Sequence, residues 1–441
     1  MLEGNYFFVT CLFALSLAGL FFLSGKNLRP KIIIDPYFFL YLTLASMFCL
    51  HAWIFLFYEI DLIFVITYTL AYCFFILGFG FASRKYSNKL ELIYSTSFYK
   101  RNYYDVNYLF RFRPFLIALF FGGILLYINI QEGLFRLENL TSLYGGNSAY
   151  LQENNSARYF NYLKGVVNIV SIYLIIYIIY CDNKSFLKNV LVFLFFSGYI
   201  FSLLLAGSRS GLVTAFLVIG IITIADIYNK KLHRRLFKIQ ILIVLFAVIL
   251  AIYITADALV SDYYTAALSF IERLLLNSDV GFRYHLAKYP ISISQFENYS
   301  FSYYFKPYLT ALGIMERSNG IGPQILVLSY IDAPGKGPIP TFIYESYIIS
   351  KSPTYTILYS FILGMIIPAA RYFSIIYFRK LIYNSSGIKF LIFIAWFSFG
   401  FGPTGDVLNF QISYIINILV TSLLFILMFF RPYYFLKENH E

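Results

Sequence analysis

An all-α, polytopic integral membrane protein is the fold class this sequence predicts, and three observations predict it. Of its 441 residues, 60% are hydrophobic and only 13% are charged, about half the charged share of an ordinary soluble domain. Apolar runs near twenty residues long recur along the whole chain, which is the length a helix needs to cross a hydrocarbon core of ~30 Å. Lys and Arg concentrate in alternate connecting segments, the pattern that marks cytoplasmic loops.

Taken in order, the apolar runs define eleven spans: 5–24, 36–57, 62–82, 114–130, 162–181, 189–206, 212–228, 239–256, 353–378, 389–401 and 409–430. The first reads as a retained helix, because MLEGNY puts no Lys or Arg ahead of it and no small-residue cleavage site follows. Cys11, Cys49, Cys73 and Cys181 fall in or at the end of apolar runs without metal-ligand spacing. They read as small buried apolar residues.

An outward N-terminus places 25–35, 83–113, 182–188, 229–238, 379–388 and the C-terminal tail inside, with about two thirds of the 34 Lys and Arg residues. RKYSNKLELIYSTSFYKRNYYDVNYLFRFR and NKKLHRR are the most basic. The net charge of +12 is then a topology signal plus attraction to anionic inner-leaflet lipid. It requires no nucleic-acid partner, and the sequence shows no motif for one. Among the few charges at or within spans, Arg371, Asp226 and Asp35 fall near inner ends.

The chain reads as one transmembrane domain, 1–441, with two prominent outer segments. The smaller, 131–161, is polar and Asn-rich. The larger, 257–352, is too long for a structureless loop in a compact protein. Helix-like periodicity in YTAALSFIERLLL predicts structure there, and IGPQILVLSYI reads as a stretch that packs on or dips into the membrane. DAPGKGPIP is a turn-rich patch. No internal repeat of the kind that builds inverted-repeat transporters is visible.

LLLAGSRSGLVTAFL, Leu203 to Leu217, sets one arginine between two serines and two glycines at an outward-facing joint of two spans. Two readings fit Arg209. In one it snorkels from a tight re-entrant turn to the interface. In the other an anionic ligand offsets a charge that costs at least ~2.5–3.5 kcal/mol at membrane depth. A planar guanidinium suits phosphate oxygens.

Arg273, Arg283, Arg317 and Lys336 lie in the large outer segment. Singly they read as solvated surface charges. Together with Arg209 they could form a basic cradle for a lipid-linked pyrophosphate, neutralising charge on a leaving phosphate.

Glu345, in PIPTFIYESYI, fits a general base for a sugar hydroxyl or a helix-end partner for an arginine. Asp406, in GPTGDVLN, fits a base or the N-cap of the final helix. His285, in GFRYH, is a third base candidate. Tyr299, Tyr303 and Tyr304 sit in QFENYSFSYYFKPYL, where aromatic faces can stack on sugar rings. Interfacial tyrosine belts in any membrane protein give the same pattern. There is no zinc spacing, Walker loop, GxSxG elbow or paired-acid motif, so metal-free chemistry, or none, is the default.

LLLAGSRSGLV resembles the arginine motif of O-antigen polymerases and related ligases. PIPTFIYESYI followed by SPTYTILYSFILGMII resembles the Pro-rich turn, glutamate and late span of Wzy-type oligosaccharide repeat-unit polymerases. GFRYHLAKYP is similar to the Gly-x-Arg start of a segment in their large periplasmic loop, and GPTGDVLNF to the polar turn before their final span, where many members carry an arginine that GPTGD lacks.

The resemblance implies a metal-independent, GT-C-like glycosyltransferase of the bacterial inner membrane with its site facing the periplasm. Donor and acceptor would be glycans on undecaprenyl pyrophosphate, with no cofactor or nucleotide sugar. A chain-length regulator is a partner such systems use. On that reading Arg209 and Arg283 bind pyrophosphate and stabilise the departing charge. Glu345, or else His285, accepts the hydroxyl proton, and the outer loops hold the glycans. An O-antigen ligase shares these features. A lipid-linked oligosaccharide flippase or transporter is the alternative of a different class, and the near absence of charge within the spans speaks against it.

Overall fold

The structure is a computed structural model, and it describes residues 6–30, 35–57, 62–95, 112–131, 342–383 and 387–401, with positions 190, 305, 309, 314, 418, 419, 422 and 423. These described stretches are helical, without strands. The helices are α1 Tyr6–Leu23, α2 Gly25–Leu28, α3 Pro36–Phe57, α4 Leu62–Ser95, α5 Phe112–Gln131, α6 Phe342–Ser350, α7 Pro353–Tyr383 and α8 Gly387–Phe401. Within α4 and α7, Leu62–Ile93 and Pro353–Lys380 are long and apolar enough to cross a membrane.

Local chemistry sets the helix ends. Asp35 caps α3: its Oδ1 accepts the Tyr37 N–H at 3.0 Å and its carbonyl accepts the Phe38 N–H at 2.7 Å. Pro36 follows at the first helical position, where the missing N–H costs nothing. Between α1 and α2 the chain turns at Gly25, whose φ is +67°. A Cβ there would lie 2.9 Å from the Ser87 Cβ. Asn27 staples the turn to α4, donating its backbone N–H to Ser87 Oγ at 3.2 Å and its Nδ2–H to the Ser87 carbonyl at 3.1 Å.

Ring contacts fix the helix directions. Phe21 meets Phe38 and Tyr41, so the C-terminal end of α1 lies at the start of α3. Tyr41 meets Phe79 while His51 meets Tyr68, so α3 and α4 are antiparallel. Phe74 meets Phe361 and Tyr86 meets Tyr372, so α4 and α7 run in the same direction. Phe373 meets Trp396 and Phe378 meets Phe393, so α8 returns antiparallel along α7.

The α4–α7 crossing rests on two glycines. A Cβ on Gly78 would lie 2.4 Å from the Phe361 carbonyl oxygen, and one on Gly364 would lie 2.3 Å from that of Phe75. Backbones this close exclude any side chain at either position, the small-residue packing that holds helices together where water is absent.

The helix α4 extends thirteen residues past the apolar run 62–82, through RKYSNKLELIY. Hydropathy ends at Phe81, but buried Ala82, Ser83, Ser87 and Leu90 keep the helical spacing. Leu90 joins Leu28 and Ile375 in a small cluster, so the extension is held on two sides. Cys11, Cys49 and Cys73 form no disulfide among the described residues. Cys49 is buried, but Cys73 lies on the exposed face of α4. That corrects the expected burial of the cysteines, which an apolar sequence context alone cannot establish.

Candidate functional site

Glu345 is placed by α6. The chain leaves α6 through Lys351, whose φ is +53° and whose N–H donates to the Tyr347 carbonyl at 2.8 Å. It then enters α7 at Ser352-Pro353, where the Tyr355 N–H donates to Ser352 Oγ at 3.4 Å. This sharp reversal lays α6 back along α7. Every residue from Phe342 to Ile349 is buried.

The depth of α6 follows from its rings. Phe342 lies 5.3 Å from Phe75, Tyr344 lies 4.5 Å from Tyr68, and Tyr347 lies 5.0 Å from Phe64 (centroid distances). The helix therefore runs antiparallel to α4 from the level of Phe75 to that of Phe64. At 1.5 Å per residue, Phe75 is about 20 Å along α4 from Leu62. Glu345 is thus carried on a short helix set inside the bundle, with relative exposure of 0%. On the α7 side it lies within electrostatic reach of Tyr359, whose ring stacks on Tyr355 at 6.1 Å. Ser346 is also buried, and its hydroxyl donates to the Ile343 carbonyl at 2.9 Å. Thr356 and Ser360 add buried hydroxyls on α7.

On the α3 side of α6 is a histidine that sequence reasoning did not select. His51 stacks on Tyr344 at 4.9 Å and on Tyr68 at 5.5 Å. Its Nδ1 lies 2.8 Å from the Met47 carbonyl and also contacts the Tyr72 hydroxyl. Assigning the proton to Nδ1 makes that nitrogen a donor to Met47. The Tyr72 hydroxyl donates to the same carbonyl at 3.3 Å. His51 lies inside an apolar run and shares no motif with Glu345. Only the packing of α6 brings them into one neighbourhood.

A second buried polar group lies toward the opposite end of α7. Arg371 donates from Nη1 to Asp35 Oδ1 at 2.7 Å and from Nη2 to Oδ2 at 2.5 Å. Its guanidinium carbon sits 4.5 Å from the centroid of the Tyr37 ring. Fork geometry and a stacked aromatic are the arrangement that arginine, and not lysine, can make. The sequence contained the signal: two opposite charges near the inner ends of spans two and nine, at one level of the bundle.

Of the site residues expected from the sequence, Glu345 is described. Arg209, Arg273, Arg283, His285, Tyr299, Tyr303, Tyr304, Arg317, Lys336 and Asp406 lie outside the described residues, as do Asp226, Cys181 and all of the outer segment 131–161 after Gln131. Among the described residues, no group of three or more His, Cys, Asp or Glu is gathered as a metal site would need. The chain was compared with protein-family models, with curated proteins and with solved structures, and nothing matches.

Proposed function

We propose that this chain is an integral membrane glycosyltransferase of the Wzy type, which joins undecaprenyl-pyrophosphate-linked repeat units into O-antigen or a similar surface glycan. In this reading it has about eleven spans, a GT-C-like fold and a site facing the periplasm of the bacterial inner membrane. The buried Glu345, on a helix dipping into the bundle, carries the proposal. A carboxylate enclosed on such a helix is a suitable acceptor for a sugar proton.

Three observations support the membrane part. Leu62, Ile66, Leu70, Phe74, Leu77 and Phe81 are exposed while Glu345, His51, Asp35 and Arg371 are buried. This is the reverse of the soluble arrangement. The exposed stripe covers about 29 Å along the helix, close to the thickness of a hydrocarbon core. The parallel run of α4 and α7 calls for an odd number of crossings between them, as in the eleven-span count.

In the proposed step, the acceptor glycan hydroxyl attacks the anomeric carbon of the donor. The C–O bond to pyrophosphate breaks, the hydroxyl proton passes to Glu345, and undecaprenyl pyrophosphate leaves. Arg209 and Arg283, with Arg273, Arg317 and Lys336, would bind the diphosphate. Tyr299, Tyr303 and Tyr304 would face the glycan. Holding two lipid-borne reactants in one plane supplies rate through proximity.

A transporter is the second reading, favoured by the ionisable His51, Asp35 and Arg371 inside the bundle. The closed, bidentate form of the Asp35–Arg371 pair weighs against a transport path through it. Incubation of the purified protein with a lipid-linked repeat unit tests the choice. Dimers and higher oligomers should appear without nucleotide or metal, whereas a glycan that crosses the membrane without elongation would support the transporter. In cells, loss of a polymerase leaves core capped with one repeat unit, and loss of a ligase leaves bare core.

A further inference from the structure

The exposed face of α4 changes character within one turn. Leu62, Ile66, Leu70, Phe74, Leu77 and Phe81 follow at three- and four-residue spacing and form one apolar stripe. Arg84, Lys85, Asn88 and Lys89 continue the same stripe, all exposed. The Asn27–Ser87 hydrogen bonds bring α2 against this basic turn and with it the exposed Lys26 and Arg29. Arg29 is anchored at this level, because its Nε–H donates to the Phe21 carbonyl at 2.9 Å. Lys89 rests 5.8 Å from the centre of the Tyr86 ring. Glu91 is the exposed acid nearby on α4, and Asp35 is already paired with Arg371.

We propose that this end of α4 is a binding site for an anionic phospholipid. Acyl chains lie along the Leu62–Phe81 stripe, and the headgroup phosphate is held among Lys26, Arg29, Arg84, Lys85 and Lys89. The inference rests on the membrane reading above but not on the glycosyltransferase reading. Continuity of the two surfaces selects a lipid over a free phosphate, since a soluble anion has no use for the apolar half. Charge selects an anionic headgroup over a zwitterionic one, and the turn held by Gly25 and Ser87 supplies cations from two elements.

Native mass spectrometry of the full chain, released from detergent with phosphatidylglycerol or phosphatidylcholine, tests the site. Wild type should retain phosphatidylglycerol at least tenfold better. The triple variant Lys26→Gln, Lys85→Gln, Lys89→Gln should lose about fivefold per charge removed, and the matching Lys→Arg triple should retain binding. Lys351→Gln, at the other end of the bundle, should leave retention unchanged. Equal retention of both lipids, equal loss in Lys351→Gln, or displacement by millimolar inorganic phosphate would overturn the site. A chain that needs no detergent to leave the membrane fraction would sink the membrane reading itself, and this inference with it.

Discussion

Toward one end of the bundle, Asp35 and Arg371 close on each other; toward the other, Glu345 is enclosed on a helix less than half the length of its neighbours. Both groups are buried, but they are buried for different ends. The pair uses its hydrogen-bonding capacity on itself: two charge-assisted bonds, a tyrosine face and the first turn of α3. Its position ties the start of α3 to α7. Glu345 lies instead within electrostatic reach of Tyr359 and next in sequence to Tyr344, which packs against His51. Phenols and hydroxyls position and exchange protons. The first arrangement suits a structural lock; the second is the one that the proposed chemistry would use.

That contrast can be broken by substitution. Arg371→Ala strands a buried carboxylate and should cost about 3–5 kcal/mol, while Asp35→Asn with Arg371→Met should be far milder. Thermal unfolding in detergent reads both, and equal losses would show that the pair is more than mutual neutralisation. Next in size, Gly364→Ala pushes a methyl group into the Phe75 carbonyl and should cost about 1–3 kcal/mol as overpacking. A variant as stable as wild type would mean that α4 and α7 are not in backbone contact. Smallest, Ser87→Ala removes the acceptor of the Asn27 N–H and should cost about 1 kcal/mol. A loss of lipid retention larger than the loss of stability would then tie the staple to the headgroup site.

Much of this part of the fold was legible in the sequence because hydropathy and punctuation agree. The span 36–57 coincides with α3, whose start is set by Asp35-Pro36. The span 62–82 stopped short of the end of α4, since apolar runs locate spans while helices continue wherever a periodic face finds a partner. Of the candidate site, only Glu345 was legible, through the PIPTFIYESYI pattern. His51, Tyr68 and Tyr344 were not, because long-range ring stacking leaves no local signature. In the sequence Asp35 and Arg371 stand as two separate charges; only their common level in the bundle joins them.

Glu345→Gln gives the most direct test, because it keeps the shape of the side chain and removes its capacity to accept a proton. With purified protein and a lipid-linked repeat unit, oligomer formation should fall by at least about a hundredfold, with substrate binding and thermal unfolding unchanged. A normal ladder of oligomers from that variant would contradict the account.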